Sequence, residues 1–259
     1  MKEISQLDLK KKKYIIFDMD GTLIDSIGVW NRTDQKLIEE YGSQTIELNE
    51  IQIERDEFLH GNQDSDIYLV YCEYLISKYN FSIKNAEELL KIRWNKSGEV
   101  LEKEMDFKES VVQLVLRLKS LGFTLILATM TTQVQLDIYS KRNKKMLEQM
   151  NISEVFDLIT RKEDVTYKKP HPEIYIKIMQ HYNASPDECL VFEDSYTGVL
   201  ASKNAGIECV NIYDKYADID RDKIDAITDY SIKSYRDFLS LVDTIYPIKP
   251  EKELKRTLN

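Results

Sequence analysis

The sequence predicts an α/β fold, an open parallel sheet covered by helices, with an all-helical block inserted into it. Three observations carry this. Short apolar runs recur along the chain, each followed by a helical stretch, and they show little polar alternation, as strands buried on both faces do. From about Ile27 to Met105 only helical periodicity is found. The 259 residues, 42% hydrophobic and 31% charged, have the balance of a globular protein with a sizeable core.

The runs are Tyr14-Ile15-Ile16-Phe17, Thr124 to Ala128, Cys189 to Phe192 and Cys209 to Ile212. Before the second, Val111, Val112, Leu114, Val115, Leu118 and Leu121 recur at helical spacing, and Gly122 stands where a helix C-cap belongs. Within the helical block, helices are expected from Val29 to Tyr41, Asp64 to Tyr79 and Asn85 to Val100. At ~150 residues per domain the length allows one or two domains. The division expected is a core of residues 1–26 and 107–259 around an insertion at 27–106. A charged tail runs from Pro247 to Asn259 and is expected to be poorly ordered.

Composition narrows the function. With 36 basic and 45 acidic residues the net charge is −9, which disfavours nucleic acid as a partner. The Lys10 to Lys13 start leads into only four apolar residues, and no run approaches the ~20 residues of a membrane helix, so neither a secretory signal nor a membrane partner is expected. The three cysteines, Cys72, Cys189 and Cys209, share no short spacing; they read as buried free thiols of a cytoplasmic protein, without a zinc site or disulfides.

The chemistry concentrates where the strands end. Asp18-Met19-Asp20-Gly21-Thr22 follows the first run and puts two carboxylates two residues apart at a strand's carboxyl end, where open α/β sheets bind ligands. Such a pair can divide labour, one acid as nucleophile or metal ligand and the other handling protons. An Asp-x-Asp-Gly-Thr string arises at a given position with a chance on the order of 10⁻⁵ at ordinary residue usage. The second run ends in Ala128-Thr129-Met130-Thr131, offering a hydroxyl to an oxyanion. Lys168-Lys169-Pro170-His171-Pro172 then precedes a helix near Glu173 and can hold a fixed positive charge. Glu193-Asp194-Ser195 opens a helix containing Gly198 and Ala201. Its acids suit Mg²⁺, although Asp194 taken alone also reads as an N-cap.

These four segments, in this order, resemble the haloacid dehalogenase superfamily, in the branch of phosphoglycolate-phosphatase-like and β-phosphoglucomutase-like proteins with a helical cap. The resemblance covers about Tyr14 to Ser26 and Asp106 to Ile212. It implies a Rossmann-like core and an Mg²⁺-dependent phosphatase that hydrolyses a small phosphorylated metabolite through an aspartyl-phosphate. Asp18 is then the nucleophile and Asp20 the general acid and base. Thr129, Met130 and Lys169 hold the phosphoryl oxygens. Mg²⁺ sits between Asp18, the Asp20 carbonyl and Asp194, with Glu193 nearby. Substrate contacts are expected from the insertion, at Trp30 and at Asn62 in the Gly61-Asn62-Gln63-Asp64 turn. The protein is expected to be a monomer or small homo-oligomer.

Departures from the family pattern refine this. Asp20 stands where dehalogenases lack a second acid and phosphonate-cleaving members carry Ala. Trp30 occupies the register of the sugar phosphomutases' cap-hinge histidine, which puts mutase activity behind hydrolysis. His60, His171 and His181 lie elsewhere and read as surface or packing residues. The family's Pro-Gly after the cap is replaced around Phe107-Lys108. An extra charged segment, Tyr139 to Lys145, is expected to be solvated surface or a partner contact. A third reading is a regulatory phosphoacceptor, against which Asp20 and the large insertion speak.

Overall fold

The computed structural model describes residues 2–42, 44–61 and 66–248. Its strands are β1 (Tyr14–Phe17), β2 (Thr124–Ala128), β3 (Leu158–Thr160), β4 (Cys189–Glu193), β5 (Glu208–Ile212) and β6 (Tyr230–Ile232). They form one six-stranded sheet in the order β3-β2-β1-β4-β5-β6, parallel at every pairing. The central strand β1 pairs with β2 on one side and β4 on the other, with Phe17 in register with Leu127 and Phe192. The order reverses at β1 and β4, so the crevice where such sheets bind ligands lies beyond the ends of these two strands.

Burial explains the apolar runs. Ile15, Ile16, Phe17, Leu125, Ile126, Leu127, Leu190, Val191 and Phe192 are all fully buried, as expected of strands covered by helices on both faces. The Val111–Ser120 helix buries Val111, Leu114, Val115 and Leu118. Gly122, at φ +87°, supplies the left-handed residue just past its end and bonds back to the Lys119 carbonyl. The three-residue edge strands β3 and β6 were not expected; they are too short to show a pattern.

Contacts divide the chain into two compact units, Met1–Asp25 with Phe107–Leu136 and Glu148–Asn259, and Ser26–Asp106 with Asp137–Leu147. The second unit holds α1 (Val29–Tyr41), α2 (Leu48–Gly61), α3 (Ile67–Lys78) and α4 (Ala86–Lys103). The sequence reading missed α2 and ran α3 slightly long and α4 slightly short. Asn85 caps α4 by accepting from the Glu88 N–H at 3.0 Å. The helices close over Leu37, Ile38, Ile51, Tyr71, Cys72, Leu75, Phe81 and Leu89. Within this unit Asp34 and Arg93, 0% and 2% exposed, form a two-point ion pair at 2.6 and 3.1 Å, and Tyr71 donates to the same carboxylate. The Arg93 guanidinium lies 4.5 Å from the Trp30 ring centre.

The segment Tyr139 to Lys145 corrects an expectation, because it is not simply solvated surface. Tyr139, Ser140 and Asn143 are buried. The Asn143 amide donates to the carbonyls of Leu101 and Met105, both at 3.0 Å, finishing the end of α4. Arg142 pairs with Glu102 and Lys145 with Asp106. Its charged residues face out while the residues between them pack on the helical unit. The three cysteines are buried and free. Among the described residues no helix is long and apolar enough to cross a membrane.

Candidate active site

Asp18 leaves β1 still in the ladder, its N–H donating to the Phe192 carbonyl at 3.0 Å. The chain then folds into a tight turn in which the Leu23 and Ile24 N–H groups both reach the Met19 carbonyl. Gly21 is needed there twice over. It sits at φ +83°, and a Cβ on it would lie 2.3 Å from Asp194 Oδ2. The turn also aims Thr22 inward, where its buried hydroxyl donates to Asp194 Oδ1 at 2.7 Å. Tyr235 holds Thr22 in place through a 3.1 Å hydrogen bond to its carbonyl.

Lys169 joins three strand ends. Its Nζ donates to Asp18 Oδ1 at 2.7 Å, to Glu193 Oε1 at 2.6 Å and to the Ala128 carbonyl at 2.8 Å. An ammonium has three protons, so its donor capacity is filled. Lys168 beside it is exposed, so only one of the two lysines belongs to the site. Glu193 also accepts from the Tyr175 and Ser195 hydroxyls, at 3.2 and 3.3 Å. A Cβ at Gly198 would fall 1.9–2.1 Å from the Glu193 carboxyl group, so that glycine makes room for it. Ser195, not Asp194, caps the Tyr196–Asn204 helix, accepting from the Gly198 N–H. Asp194 is thereby left to face the site.

At the end of β2 the Thr129 hydroxyl, 1% exposed, accepts from the Thr131 N–H at 3.0 Å, and its own proton remains for donation. Thr131 in turn donates its hydroxyl to Asp20 Oδ2. Met130 packs its side chain against the apolar cluster and offers an anion only its main-chain N–H. Trp30 lies in the helical unit, edge-on to Trp94 and over Arg93. Asn62 lies outside the described residues, as do Gln63 and Asp64 beside it. Thr22, Thr131, Tyr175 and Asn211 are the polar residues that sequence reasoning left without roles. Two of them carried a visible signal, Thr22 as the end of the Asp-x-Asp-Gly-Thr string and Thr131 two places beyond Thr129 at a strand end.

The electrostatics leave a charge deficit. Asp18, Glu193 and Asp194 are buried with ligand oxygens within 4.8 Å of one another, and among the described residues Lys169 is the one cation bonded to them. Burial pushes the Asp18 carboxyl up to about 7 against the pull of Lys169, and Glu193 adds to the push. Burial, then Glu193 and Asp18, hold Asp194 well above the carboxylate range. Burial alone would lower Lys169, but Asp18 and Glu193 overcome it and hold the ammonium protonated. Three buried carboxylate oxygens with no sulfur or nitrogen donor suit a hard divalent cation such as Mg²⁺. Such an ion also offsets the surplus negative charge, so the residues present fit the metal.

Known proteins share the family pattern and the fold. The haloacid dehalogenase-like hydrolase family matches residues 15–212. The chain belongs to that family and is an enzyme of its hydrolase class. It is 29% identical over 194 residues to a phosphorylated carbohydrates phosphatase of Thermotoga maritima, covering 75% of this chain and 82% of that one. It is 25% identical over 195 residues to hexitol phosphatase B of Escherichia coli K12, covering 75% and 81%. The crystal structure of a HAD family hydrolase from Deinococcus radiodurans, with bound phosphate and sodium, shares the fold at a TM-score of 0.69. Its identity is 20%, over 93% of this chain and 99% of that one.

Proposed function

We propose that the protein is an Mg²⁺-dependent phosphatase that hydrolyses a small phosphorylated metabolite through a phosphorylated Asp18. The observation that carries this is the Lys169 ammonium bonded to both Asp18 and Glu193, beside an Asp194 clamped by Thr22. In the first step an Asp18 carboxylate oxygen forms a bond to phosphorus while the bond to the ester oxygen breaks, and Asp20 gives that oxygen a proton. In the second step Asp20 takes a proton from water as the water oxygen attacks phosphorus, releasing phosphate and restoring Asp18. Thr129 and the Met130 N–H hold the phosphoryl oxygens, and Lys169 joins them by giving up its hydrogen bond to Asp18 Oδ1 for one to a phosphoryl oxygen, so that fixed donors stabilise the transferring group. Thr131 fixes the orientation of Asp20 by its hydrogen bond.

Asp18, Asp194, Glu193 and the Asp20 carbonyl would hold Mg²⁺, which would supply the positive charge that lets two anions approach. The named activities of the Thermotoga and Escherichia coli relatives support a sugar or sugar-alcohol phosphate as substrate. The helical insertion, residues 27–106, is assigned the choice of substrate, with Trp30 and Asn62 as contacts. The free cysteines support a cytoplasmic location, and a monomer or small homo-oligomer is the assembly proposed.

The test is phosphate release from p-nitrophenyl phosphate and a panel of sugar phosphates, with and without Mg²⁺, in wild type and Asp18→Asn. Metal-dependent release, lost in the variant, is the expected result. Wild-type release by Asp18→Asn overturns the nucleophile assignment. Interconversion of sugar phosphate isomers without release supports a phosphomutase instead.

A further inference from the structure

We propose that Asn211 and Arg221 are positioning residues that fix the direction in which the Glu193 and Asp194 carboxylates face. The inference rests on the reading of Glu193 and Asp194 as metal-site residues. Asn211 stands in register with Glu193 on the neighbouring strand. Its side-chain amide forks across the end of β4, donating to the Glu193 carbonyl at 3.0 Å and the Asp194 carbonyl at 3.2 Å. Those consecutive carbonyls flank the bond about which the chain turns as it leaves the strand. Pinning both sets the path from which the two acidic side chains depart.

The amide orientation is itself enforced. Arg221 Nη1 donates to Asn211 Oδ1 at 3.0 Å, and a guanidinium has no acceptor, so the amide oxygen must face it and the NH₂ must face the carbonyls. Arg221 is held in turn by the Asp214 carbonyl at 3.1 Å and the Asp218 carboxylate at 3.4 Å, and it lies 4.8 Å from the Tyr213 ring centre. Its buried Nε has no hydrogen-bond partner, so the guanidinium is placed for its outer nitrogens at the cost of one orphaned donor.

Residue type argues the same way. Asn211 is fully buried in a strand between Val210 and Ile212, where β-branched residues are favoured and asparagine is depleted. A buried amide that breaks the local rule marks a position chosen for its hydrogen bonds. Groups behind metal ligands characteristically set ligand direction, and losing one costs about 10–100-fold in metal affinity.

The test is calorimetric titration of the metal-free protein with Mg²⁺ for wild type, Asn211→Val, Arg221→Met, Arg221→Lys and Asp194→Asn, with kcat and KM for p-nitrophenyl phosphate beside it. Asn211→Val and Arg221→Met are expected to raise the Mg²⁺ Kd about tenfold. Arg221→Lys recovers part of the loss, and kcat at saturating Mg²⁺ falls less than the affinity does. A merely structural role lowers the denaturation midpoint in chelator and leaves the Kd unchanged. The inference is overturned if Asn211→Val and Arg221→Met bind Mg²⁺ like wild type while Asp194→Asn does not. Wild-type binding by Asp194→Asn instead removes the metal-site reading beneath it.

Discussion

The Thr22 hydroxyl and the Asp194 carboxylate, 172 residues apart in the chain, meet at 2.7 Å and tie the turn after β1 to the residue after β4. Thr22→Val keeps the shape of the side chain and removes the donor. A buried acceptor stripped of such a bond costs about 1–3 kcal/mol. Urea denaturation in chelator is expected to show a loss of that size, with the fold retained by circular dichroism.

Asp18 gives the metal-free protein a pH dependence of definite sign. Its carboxyl moves from 3.8 to about 7 on folding, so the folded state holds that proton more tightly. The associated stability is present below 3.8 and is lost as pH rises through about 7. The loss is at most about 4 kcal/mol. Denaturation midpoints in chelator are expected to fall from pH 4 to pH 8 in wild type and to fall less in Asp18→Asn. Equal slopes in the two proteins contradict the assignment.

Gly198→Ala separates activity from stability. Alanine favours the helix by roughly 1 kcal/mol over glycine. Its Cβ, however, displaces a Glu193 carboxyl group that Lys169, Tyr175 and Ser195 hold from other sides. A misplacement of about 1 Å at such a site costs on the order of 10²-fold in rate. Phosphate release is expected to drop accordingly while the thermal midpoint changes little. A variant with full activity shows that Glu193 has room elsewhere.

Arg93→Met leaves Asp34 as an uncompensated buried charge in the helical unit. Removing one partner of such a pair costs about 3–5 kcal/mol. The Trp30 ring also loses the guanidinium beneath it, so a changed near-ultraviolet tryptophan signal is expected alongside the lowered denaturation midpoint.

The strand ends were readable because a strand fixes its main chain. A run such as Tyr14–Phe17 dictates that the next residue, Asp18, leaves at the sheet's carboxyl edge, whatever the tertiary details. The same logic exposed Thr129 and Glu193 as strand-end groups, whereas Lys169 was told apart from Lys168 by the family resemblance, as the lysine before Pro170. The residues that orient these groups were not readable. Thr22, Tyr175 and Asn211 act through contacts that exist only after distant segments have met, and their residue types are commonplace. The α2 helix escaped because few of its described residues are buried, Ile51 among them. The allegiance of Tyr139 to Lys145 rests on Asn143 finding two carbonyls, Leu101 in the last turn of α4 and Met105 just past it, which no local pattern announces.

That allegiance bears on how the molecule can be re-engineered. Residues 26–106 look like a removable cassette, and exchanging them for another family member's insertion is the obvious route to a hybrid. Here the cassette has a second piece, Asp137–Leu147, encoded downstream of β2. A transplant of residues 26–106 alone strands Asn143 with its amide facing a foreign helix end, and leaves Arg142 and Lys145 without Glu102 and Asp106. Two splices must travel together for a working chimera, and a lineage trading insertions by recombination must move both or mend the second afterwards.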